Sequence, residues 1–276
     1  PTCVAPSGLT VPMASVTTTT AVANWTASTT VPANGYEYYY TTDATPPTAS
    51  TTPSGSVAAG ITTASLTALT PSTIYRLYVR AVCGANDSSA WTPAVVFTTL
   101  CESVQLPYSI DFESVTVPNL PLCTSNQNVG TGNNWVTANN PGSGFTNKTL
   151  RYSYNSTNPA NTWFFTNSVS LVAGMQYSIS YKYGTNSTIY VEKMKIAYGT
   201  NADNTAMTNL LVDHNNITGT TPQNNTITFT PAVSGTYVFG FNAYSDTNQN
   251  GLFVDNIVIE EFLGTVDFNN NKFTVY

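Results

Sequence analysis

The chain has 276 residues, of which 41% are hydrophobic and only 8% are charged, and its formal net charge is −6. An average soluble domain carries about 25% charged residues, so Thr, Ser and Asn must supply the polar surface here. Eight Lys and Arg residues against fourteen Asp and Glu residues leave no basic patch for nucleic acid or an anionic membrane. No apolar run of about 18 residues occurs, which argues against a transmembrane segment.

Short alternating segments separated by Gly, Pro, Asn and Thr indicate an all-β protein. The first domain is predicted to span residues 1–99. Its strands include "TTTTAVANWTAS", in which Trp25 faces inward, and "GYEYYYTT", with alternate tyrosines on one face. In "LTALTPSTIYRLYVRAVC", Tyr75 stands at the corner before a long strand, a hallmark of β-sandwiches. This L-x-P-x-T-x-Y pattern resembles a fibronectin type III domain.

That resemblance implies a specific disulfide and a modest role. In the fibronectin type III topology the start of the first strand and the end of the sixth lie at the same pole, which would join Cys3 to Cys83. Such modules are usually spacers. The Tyr36–Tyr40 stripe is accordingly interpreted as core and sheet face rather than as a ligand platform.

The second domain is predicted to span residues 101–262. It begins with "CESVQLPYSIDFES", in which Asp111 and Glu113 project from one face. Eight or nine strands over about 160 residues favour a double-sheet jelly roll over a smaller sandwich. Ordered motifs resemble the cleaved-adhesin jelly rolls of gingipain-type surface proteins, which are related in shape to the MAM family. These motifs are "DFE", "P-x-C", "NTWF", "L-x-A-G-x-x-Y", "YGT", "SGTYVFGF" and "VDNIVIEE".

Asp255 raises a chemical question because it interrupts the apolar strand "NGLFVDNIVIEE". A buried carboxylate costs several kcal/mol or more unless a hydrogen bond, a cation or a metal compensates it. The first and last strands of a jelly roll are commonly neighbours, which would bring Asp111 and Glu113 to Asp255. Together with Asn256 or Asp246 they would offer the oxygen ligands that Ca²⁺ prefers, and the resembled family binds structural calcium in this region. The alternative is that each acid caps a turn or accepts backbone N–H bonds.

Catalysis is not expected from this inventory. Paired carboxylates about 5–9.5 Å apart hydrolyse glycosides, but Asp111 and Glu113 lie within a strand rather than in a cleft. The single histidine, His214, falls in an Asn-rich segment without a nucleophile elbow and is interpreted as a solvated loop residue. The fragment is therefore predicted not to be an enzyme.

Binding of a glycan or a surface protein is the favoured class of function. Aromatic side chains stack on sugar rings while Asn and Thr bind hydroxyls, although each aromatic residue is individually more often core. The candidate ligand-binding residues are Trp135, Tyr152, Tyr154, Trp163 and Tyr244. The alternative reading is a carbohydrate-binding accessory region of a secreted polysaccharide-degrading enzyme or protease.

The final segment, residues 263–276, reads as a linker. The segment "FLGTVDFNNNKFTVY" resembles the sequence that precedes the C-terminal sorting domain of the type IX secretion system. The resemblance implies attachment to the outer membrane through that further domain. It therefore predicts a secreted or cell-surface protein of a Gram-negative bacterium.

The remaining cysteines, Cys101 and Cys123, bracket the first strand of the second domain and are predicted to bond to each other. Peptide mapping without reduction should recover a Cys101–Cys123 peptide together with a Cys3–Cys83 peptide. A Cys83–Cys101 peptide, or thiols that react with an alkylating agent, would contradict this pairing.

Overall fold

A computed structural model describes residues 3–262, and the chain divides into two compact units between Glu102 and Ser103. The predicted linker 263–276 lies outside the described residues. Both units consist of β-strands, with only two short 3₁₀ helices among the described residues. The all-β prediction is confirmed. No helix in residues 3–262 is both long enough and apolar enough to cross a bilayer.

The first unit is a two-sheet sandwich. One sheet has the strand order β1-β2-β5, and the other has the order β4-β3-β6-β7 with β8 also paired to β6. The strands are β1 (Ser7–Thr10), β2 (Ala21–Thr26), β3 (Tyr36–Thr41), β4 (Gly55–Val57), β5 (Thr63–Leu66), β6 (Ile74–Gly84), β7 (Asp87–Ser88) and β8 (Val95–Thr98).

Alternation along β6 separates its two faces. Tyr75, Leu77 and Val79 belong to the buried core between the sheets, so Tyr78 and Arg80 lie on the outer face. The hydroxyl of Tyr75 accepts a hydrogen bond from the amide of Thr70 at 2.9 Å, which is the corner contact that the sequence predicts.

A disulfide closes one end of this unit. Cys3 and Cys83 are bonded, with their Cα atoms 5.8 Å apart, as the fibronectin resemblance implies. No cysteine among the described residues is a free thiol. Because the bond links residues 80 positions apart in sequence, it removes a large loop-closure entropy from the unfolded chain.

The second unit is a sandwich of two six-stranded sheets. The first sheet has the order β10-β13-β19-β16-β17, with β14 also paired to β19; the second has the order β11-β12-β20-β15-β18, with β9 also paired to β20. The strands are β9 (Tyr108–Ile110), β10 (Ser125–Asn128), β11 (Trp135–Asn139), β12 (Lys148–Ser153), β13 (Thr162–Phe165), β14 (Val169–Leu171), β15 (Tyr177–Thr185), β16 (Ser187–Gly199), β17 (Asn209–Gly219), β18 (Gln223–Phe229), β19 (Gly235–Ala243) and β20 (Gly251–Glu261).

Twelve strands of this unit are described, against the eight or nine that the sequence predicts. The difference comes partly from β9, β10 and β14, which have only three or four residues each and carry little alternation of their own. Aromatic residues dominate the core between the sheets, with Phe164, Phe239 and Phe241 all fully buried. The paired sheets and their single core match the predicted jelly-roll sandwich.

Candidate functional site

Asp255 lies within β20, the strand that pairs with β9, β12 and β15. Its side chain is buried, with only 5% of the residue exposed. The amide of Asn256 donates to Asp255 Oδ1 at 2.8 Å, and Asn256 itself adopts a left-handed conformation with φ 50°. The pairing register with β15 shifts at this point, opposite Lys182. The carboxylate therefore sits at a local irregularity in a central strand.

Asp111 and Glu113 lie directly beyond the end of β9, which pairs with β20 through Ile110 and Ile257. Between them Phe112 is buried, at 1% exposure, with φ 60°. The amide of Glu113 donates to Asp111 Oδ1 at 3.1 Å. The two acids are exposed and stand beside the edge where β9 meets β20.

Electrostatics couple these three acids. The pKa of Asp255 is raised to about 6, chiefly by burial and to a smaller extent by the negative charges of Glu113 and Asp111, while the Asn256 amide and Lys182 oppose the shift. Desolvation and like-charge repulsion both disfavour the ionised form of a carboxyl group. The charges of Asp111 and Glu113 thus act on Asp255 at this edge, and the calcium site of the three acids stays a prediction.

The other two predicted calcium ligands are Asp246 and Asn256. Asp246 forms an ion pair with Lys193 at 2.6 Å, on β16 of the opposite sheet, and it is not among the charges that act on Asp255. Asn256 is exposed next to Asp255. Asp246 is therefore not a member of this group of acids, contrary to the prediction. Its place in the loop after β19 follows from strand topology that sequence spacing does not reveal.

Within residues 3–262 no three His, Cys, Asp or Glu side chains are positioned, as they stand, to hold a metal ion. The donor chemistry nevertheless fits a hard cation, because Asp255 is a desolvated carboxylate that two further carboxylates repel. Asp111 and Glu113 are exposed, and each accepts one backbone hydrogen bond, Asp111 Oδ1 from the amide of Glu113 and Glu113 Oε1 from the amide of Lys148. Lys148 already places a cation nearby, donating from Nζ to the carbonyl oxygens of Glu113 and Val115 at 2.7 Å each.

Two of the predicted ligand-binding aromatic residues lie in the core, contrary to the prediction. Trp135 and Tyr152 are 0% and 1% exposed and pack against each other with ring centroids 6.1 Å apart. The Trp135 indole N–H donates to the carbonyls of Thr162 and Phe241. Both residues face the core because β11 and β12 turn these alternate positions inward, so neither presents a ring to a ligand.

The remaining aromatic candidates are at least partly accessible. Tyr154 is 45% exposed and lies just after β12, on the second sheet. Trp163 and Tyr244 are half-buried and belong with the first sheet: Trp163 on β13, and Tyr244 just after β19. The structure therefore brings Trp163 and Tyr244 to one sheet and leaves Tyr154 apart from them.

A row of side chains crosses the outer face of this first sheet. Trp163 pairs with Asn242 of β19, and Asn242 pairs with Lys195 of β16. Their immediate neighbours Phe164, Phe241 and Ile196 are in the core, so alternation points the row away from it. We call the row and its flanking tyrosine the tryptophan face, which comprises Gln127, Trp163, Asn242, Lys195, Asp213 and Tyr244.

Asn242 has an unusual environment on this face. The residue is only 8% exposed, and its Oδ1 is buried without a hydrogen-bond partner among the described residues. A buried polar atom that lacks a partner costs about 1–3 kcal/mol. On either side lie Trp163 and Lys195, the two residues to which Asn242 is directly paired. Among the described residues of this sheet, the unpaired Asn242 oxygen most strongly indicates a missing hydrogen-bond donor.

A short loop covers one side of the tryptophan face. Gln127 donates to Asp203 Oδ2 at 2.9 Å and accepts from the amide of Asn204 at 2.7 Å, which ties the 3₁₀ helix Asn204–Ala206 to β10. The Trp163 ring and Met207 both lie where a side chain at position 240 would project. Gly240 is therefore required there, since any Cβ would collide with the indole.

Charged residues border the other side of the face. Lys195 Nζ lies 4.7 Å above the Tyr244 ring centroid and 3.7 Å from Asp213 Oδ2. The Tyr244 hydroxyl donates to Asp213 Oδ1. Burial and this bond to a carboxylate raise the pKa of Tyr244, which keeps the phenol protonated. The border thus combines a neutral hydroxyl, an amine and a carboxylate.

Four members of the tryptophan face are not predicted from the sequence: Gln127, Asn242, Lys195 and Asp213. A signal for Asn242 exists in "GTYVFGFNA", where Val238, Gly240 and Asn242 alternate with core residues. Neighbouring strands supply the others through pairing between β10, β13, β19, β16 and β17. No spacing within the sequence encodes that order.

His214 is not a solvated loop residue, which corrects the prediction. It lies in β17, half-buried, with its ring stacked on Tyr183 at a centroid distance of 4.2 Å. Its Nε2 is 2.6 Å from the hydroxyl of Tyr181, and Asn225 Nδ2 donates to that hydroxyl at 2.8 Å. Burial lowers the pKa of His214. The imidazole is an interior hydrogen-bonding group that faces Met194 across the strand pair.

Glu192 is another buried acid, with 0% exposure. Its carboxylate accepts hydrogen bonds from the Ser245 hydroxyl and the Asn250 amide. Burial raises the pKa of Glu192. Because both partners lie between β19 and β20, Glu192 fixes the loop that connects those strands rather than presenting an acid to solvent.

Comparison with known proteins identifies the first unit. The family model for the fibronectin type III domain matches residues 4–98, and the resemblance predicted for this segment is confirmed. None of the curated proteins compared with the chain matches it.

Solved structures similar to this chain are distant. A cleaved adhesin domain of Lys-gingipain from Porphyromonas gingivalis is 18% identical, with a TM-score of 0.46, and the match covers 56% of this chain and 98% of that domain. The CBM22-1 xylan-binding domain of Paenibacillus barcinonensis Xyn10C is 10% identical, with a TM-score of 0.38, and the match covers 56% and 92%. The C-terminal CBM6 of LamC from Zobellia galactanivorans is 13% identical, with a TM-score of 0.33, and the match covers 50% and 99%.

Acid should weaken the second unit through His214. A histidine whose pKa falls on folding contributes stability that is present above its ordinary pKa of about 6.5 and is lost as pH falls below it. Replacing His214→Gln removes this titration, so the stability advantage of the wild type over the variant should shrink between pH 7.5 and pH 5. Denaturant unfolding at both pH values measures this difference, and the titration of Asp255 cancels in the comparison.

The ring resonances of the single histidine provide an independent check. Their NMR titration should give a midpoint below about 6.5. A midpoint at or above that value, or a stability difference that does not change with pH, would contradict the buried hydrogen-bonded role.

Proposed function

We propose that this chain is a non-catalytic, secreted or cell-surface binding module, and that its second unit binds a glycan on the tryptophan face. One observation carries the proposal: Asn242 Oδ1 is buried without a partner in the row between Trp163 and Lys195. The atom is enclosed as the face stands, so a ligand donor would satisfy it once a flanking side chain moves aside.

The chemistry of the face suits sugar rings. Trp163 supplies a flat apolar surface for the C–H groups of a pyranose, while Asn242, Lys195 and Asp213 supply donors and acceptors for its hydroxyls. Phe165 stacks in parallel on Trp163, with the ring planes only 6° apart, which helps to hold the indole in place. A ring held in this way loses little entropy when a ligand stacks on it.

Several features support an extracellular, non-catalytic role. The Cys3–Cys83 disulfide requires an oxidising compartment. His214 and Glu192 have acid–base chemistry, but both are committed to interior hydrogen bonds. Export by the type IX system of a Gram-negative bacterium, and attachment through a C-terminal sorting domain, rest on the resemblance of the final segment.

We also propose that Asp255, Asp111 and Glu113 hold a structural calcium ion. Calcium binds to oxygen ligands, and its charge would offset the burial and the like-charge repulsion that raise the pKa of Asp255. Since Asp255 lies in β20 and the other acids follow β9, the ion would tie the beginning of the second unit to its last strand.

Substitution of Asn242 tests the glycan site without breaking the fold. In Asn242→Leu an apolar side chain of similar size replaces the unpartnered amide, so the folded protein should be as stable as the wild type or more stable. Glycan-array binding should fall at least about tenfold, because the ligand loses a hydrogen bond in a desolvated site. Trp163→Ala should lower binding by a similar factor.

Tyr154→Ala is the matched control, since Tyr154 is an exposed aromatic residue on the other sheet. Its binding should equal that of the wild type. If Asn242→Leu melts at a lower temperature and binds normally, the amide is structural and the tryptophan face is not the site. Selective recognition of one polysaccharide class would favour an accessory role beside an enzyme over general adhesion.

Removal of calcium should destabilise the second unit alone. At a hundredfold excess over its Kd, a bound ion stabilises the folded state by about 2.7 kcal/mol, which corresponds to roughly 5–10 °C in Tm for a domain of this size. EDTA should lower the Tm of the second unit by this amount and Ca²⁺ should restore it. Mg²⁺ should restore it poorly, because it requires a tighter octahedral shell.

Two variants separate calcium binding from general loss of charge. Asp255→Asn should abolish the response to calcium, whereas Asp246→Asn should retain it because Asp246 pairs with Lys193 instead. In EDTA the stability of the wild type relative to Asp255→Asn should fall as pH rises from about 4 to about 6, since the raised pKa of Asp255 favours the protonated folded form; the titrations of Glu192 and His214 cancel in this comparison. Identical melting curves in EDTA and in calcium would contradict the proposal.

A further inference from the structure

The fibronectin-like unit contains a cleft of about 400 Å³ on the outer face of its larger sheet. Tyr78 of β6 forms the floor. The two walls are the loop after β3, including Pro46 and Pro47, and the segment after β7, including Trp91. The volume lies within the range of about 300–1,000 Å³ that small-molecule sites occupy.

Hydrogen bonds hold the two walls together. The Trp91 indole N–H donates to the carbonyl of Thr48 at 2.9 Å, and Arg80 Nη1 donates to the carbonyl of Ala49 at 2.9 Å. The Arg80 guanidinium also lies 4.5 Å from the centroid of the Trp91 ring. The cleft is therefore formed before any ligand arrives, which lowers the entropic cost of binding.

The lining selects for an uncharged ligand. None of the residues that line the cleft is ionisable at neutral pH. The adjacent Arg80 is already compensated, because its Nε lies 2.7 Å from Glu37 Oε2. A charged ligand that bound here would lose its hydration without gaining an ion partner, which is unfavourable.

The hydrogen-bonding capacity of the cleft comes mainly from hydroxyl groups. The hydroxyls of Tyr78 and Ser88 make no hydrogen bond to any other described residue, and Thr92 accepts from the Val79 amide while its own proton remains available. A peptide offers a carbonyl acceptor at every residue, whereas the Trp91 N–H and two of the five Arg80 N–H groups already donate to other groups of the protein. A sugar hydroxyl both donates and accepts, which matches the groups that are available.

We propose that this cleft binds a neutral saccharide of one or two rings, with Trp91 and Tyr78 as the apolar walls and the hydroxyls of Tyr78, Ser88 and Thr92 as polar contacts. The site lies entirely within the first unit. It is independent of the tryptophan face and does not require that proposal to be correct.

NMR titration of the full chain with cellobiose, xylobiose, laminaribiose, lactose and maltose tests the site. At least one of these neutral disaccharides should shift the Trp91 indole N–H and the Ser88 amide resonances saturably. Tyr78→Phe, which removes only a hydroxyl, should raise the Kd at least about fivefold, consistent with the loss of one hydrogen bond. Tyr39→Phe is the matched control, because Tyr39 neighbours Tyr78 but does not line the cleft.

Repeating the titration with Trp163→Ala distinguishes this site from the second unit. The Trp91 and Ser88 shifts should persist in that variant even if glycan binding at the tryptophan face is lost. Three results would overturn the proposal: no saturable shift with any disaccharide up to 20 mM, a Kd that Tyr78→Phe leaves unchanged, or a proline-rich decapeptide that binds more tightly than every sugar.

Discussion

The organisation of the second unit depends on β19, which is buried on both faces. Tyr237, Phe239 and Phe241 pack into the core between the sheets, yet Val238, Gly240 and Asn242 on the other face are also buried. A strand in this position needs cover on its outer side as well. Trp163 and Met207 provide it over Gly240, and Asn242 is enclosed while its oxygen remains unpaired. The proposed ligand site follows from this packing, since the covering indole and the unpaired amide are adjacent.

The second constraint is the charge at the β9–β20 edge. β20 is central in its sheet and pairs with three strands, so it cannot avoid burying the residue at position 255. Burial alone would favour an apolar side chain there. The carboxylate that is found instead is repelled by the charges of Glu113 and Asp111, a cost that the proposed calcium ion would remove. The two proposals for this unit thus rest on opposite sheets and on different physics, one on an unpaired amide and the other on unbalanced charge.

The first unit combines a fibronectin type III core with a cleft on the outer face of one sheet. Its core and its tyrosine corner belong to the fibronectin type III pattern. Outside the core, Arg80 pairs with Glu37 and lies against Trp91, which fixes the two walls of the cleft. Tyr36 is core, as predicted, whereas Tyr39 lies on the outer face near Tyr78. The proposed saccharide cleft is thus made by residues that alternate with the core rather than by the Tyr36–Tyr40 stripe.

The sequence by itself determined whatever depends on local periodicity. Period-two patterns and turn residues predict the all-β class, and the L-x-P-x-T-x-Y corner identifies the first unit and, with it, the Cys3–Cys83 bond. The interruption of an apolar strand by Asp255 also singles out that residue correctly as a buried acid. These features lie within one strand or one turn, where a side chain's environment follows from its immediate neighbours.

Only the tertiary structure decided which residues share a surface. Trp135 and Trp163 look equally available in the sequence, but strand pairing places Trp135 in the core and Trp163 on the outer face. His214 and Asp213 are adjacent in sequence, yet the first faces the core and the second joins the tryptophan face. The order β10-β13-β19-β16-β17 brings together side chains from distant segments. That order is fixed by the burial of apolar surface across the whole unit, so no local pattern could have specified it.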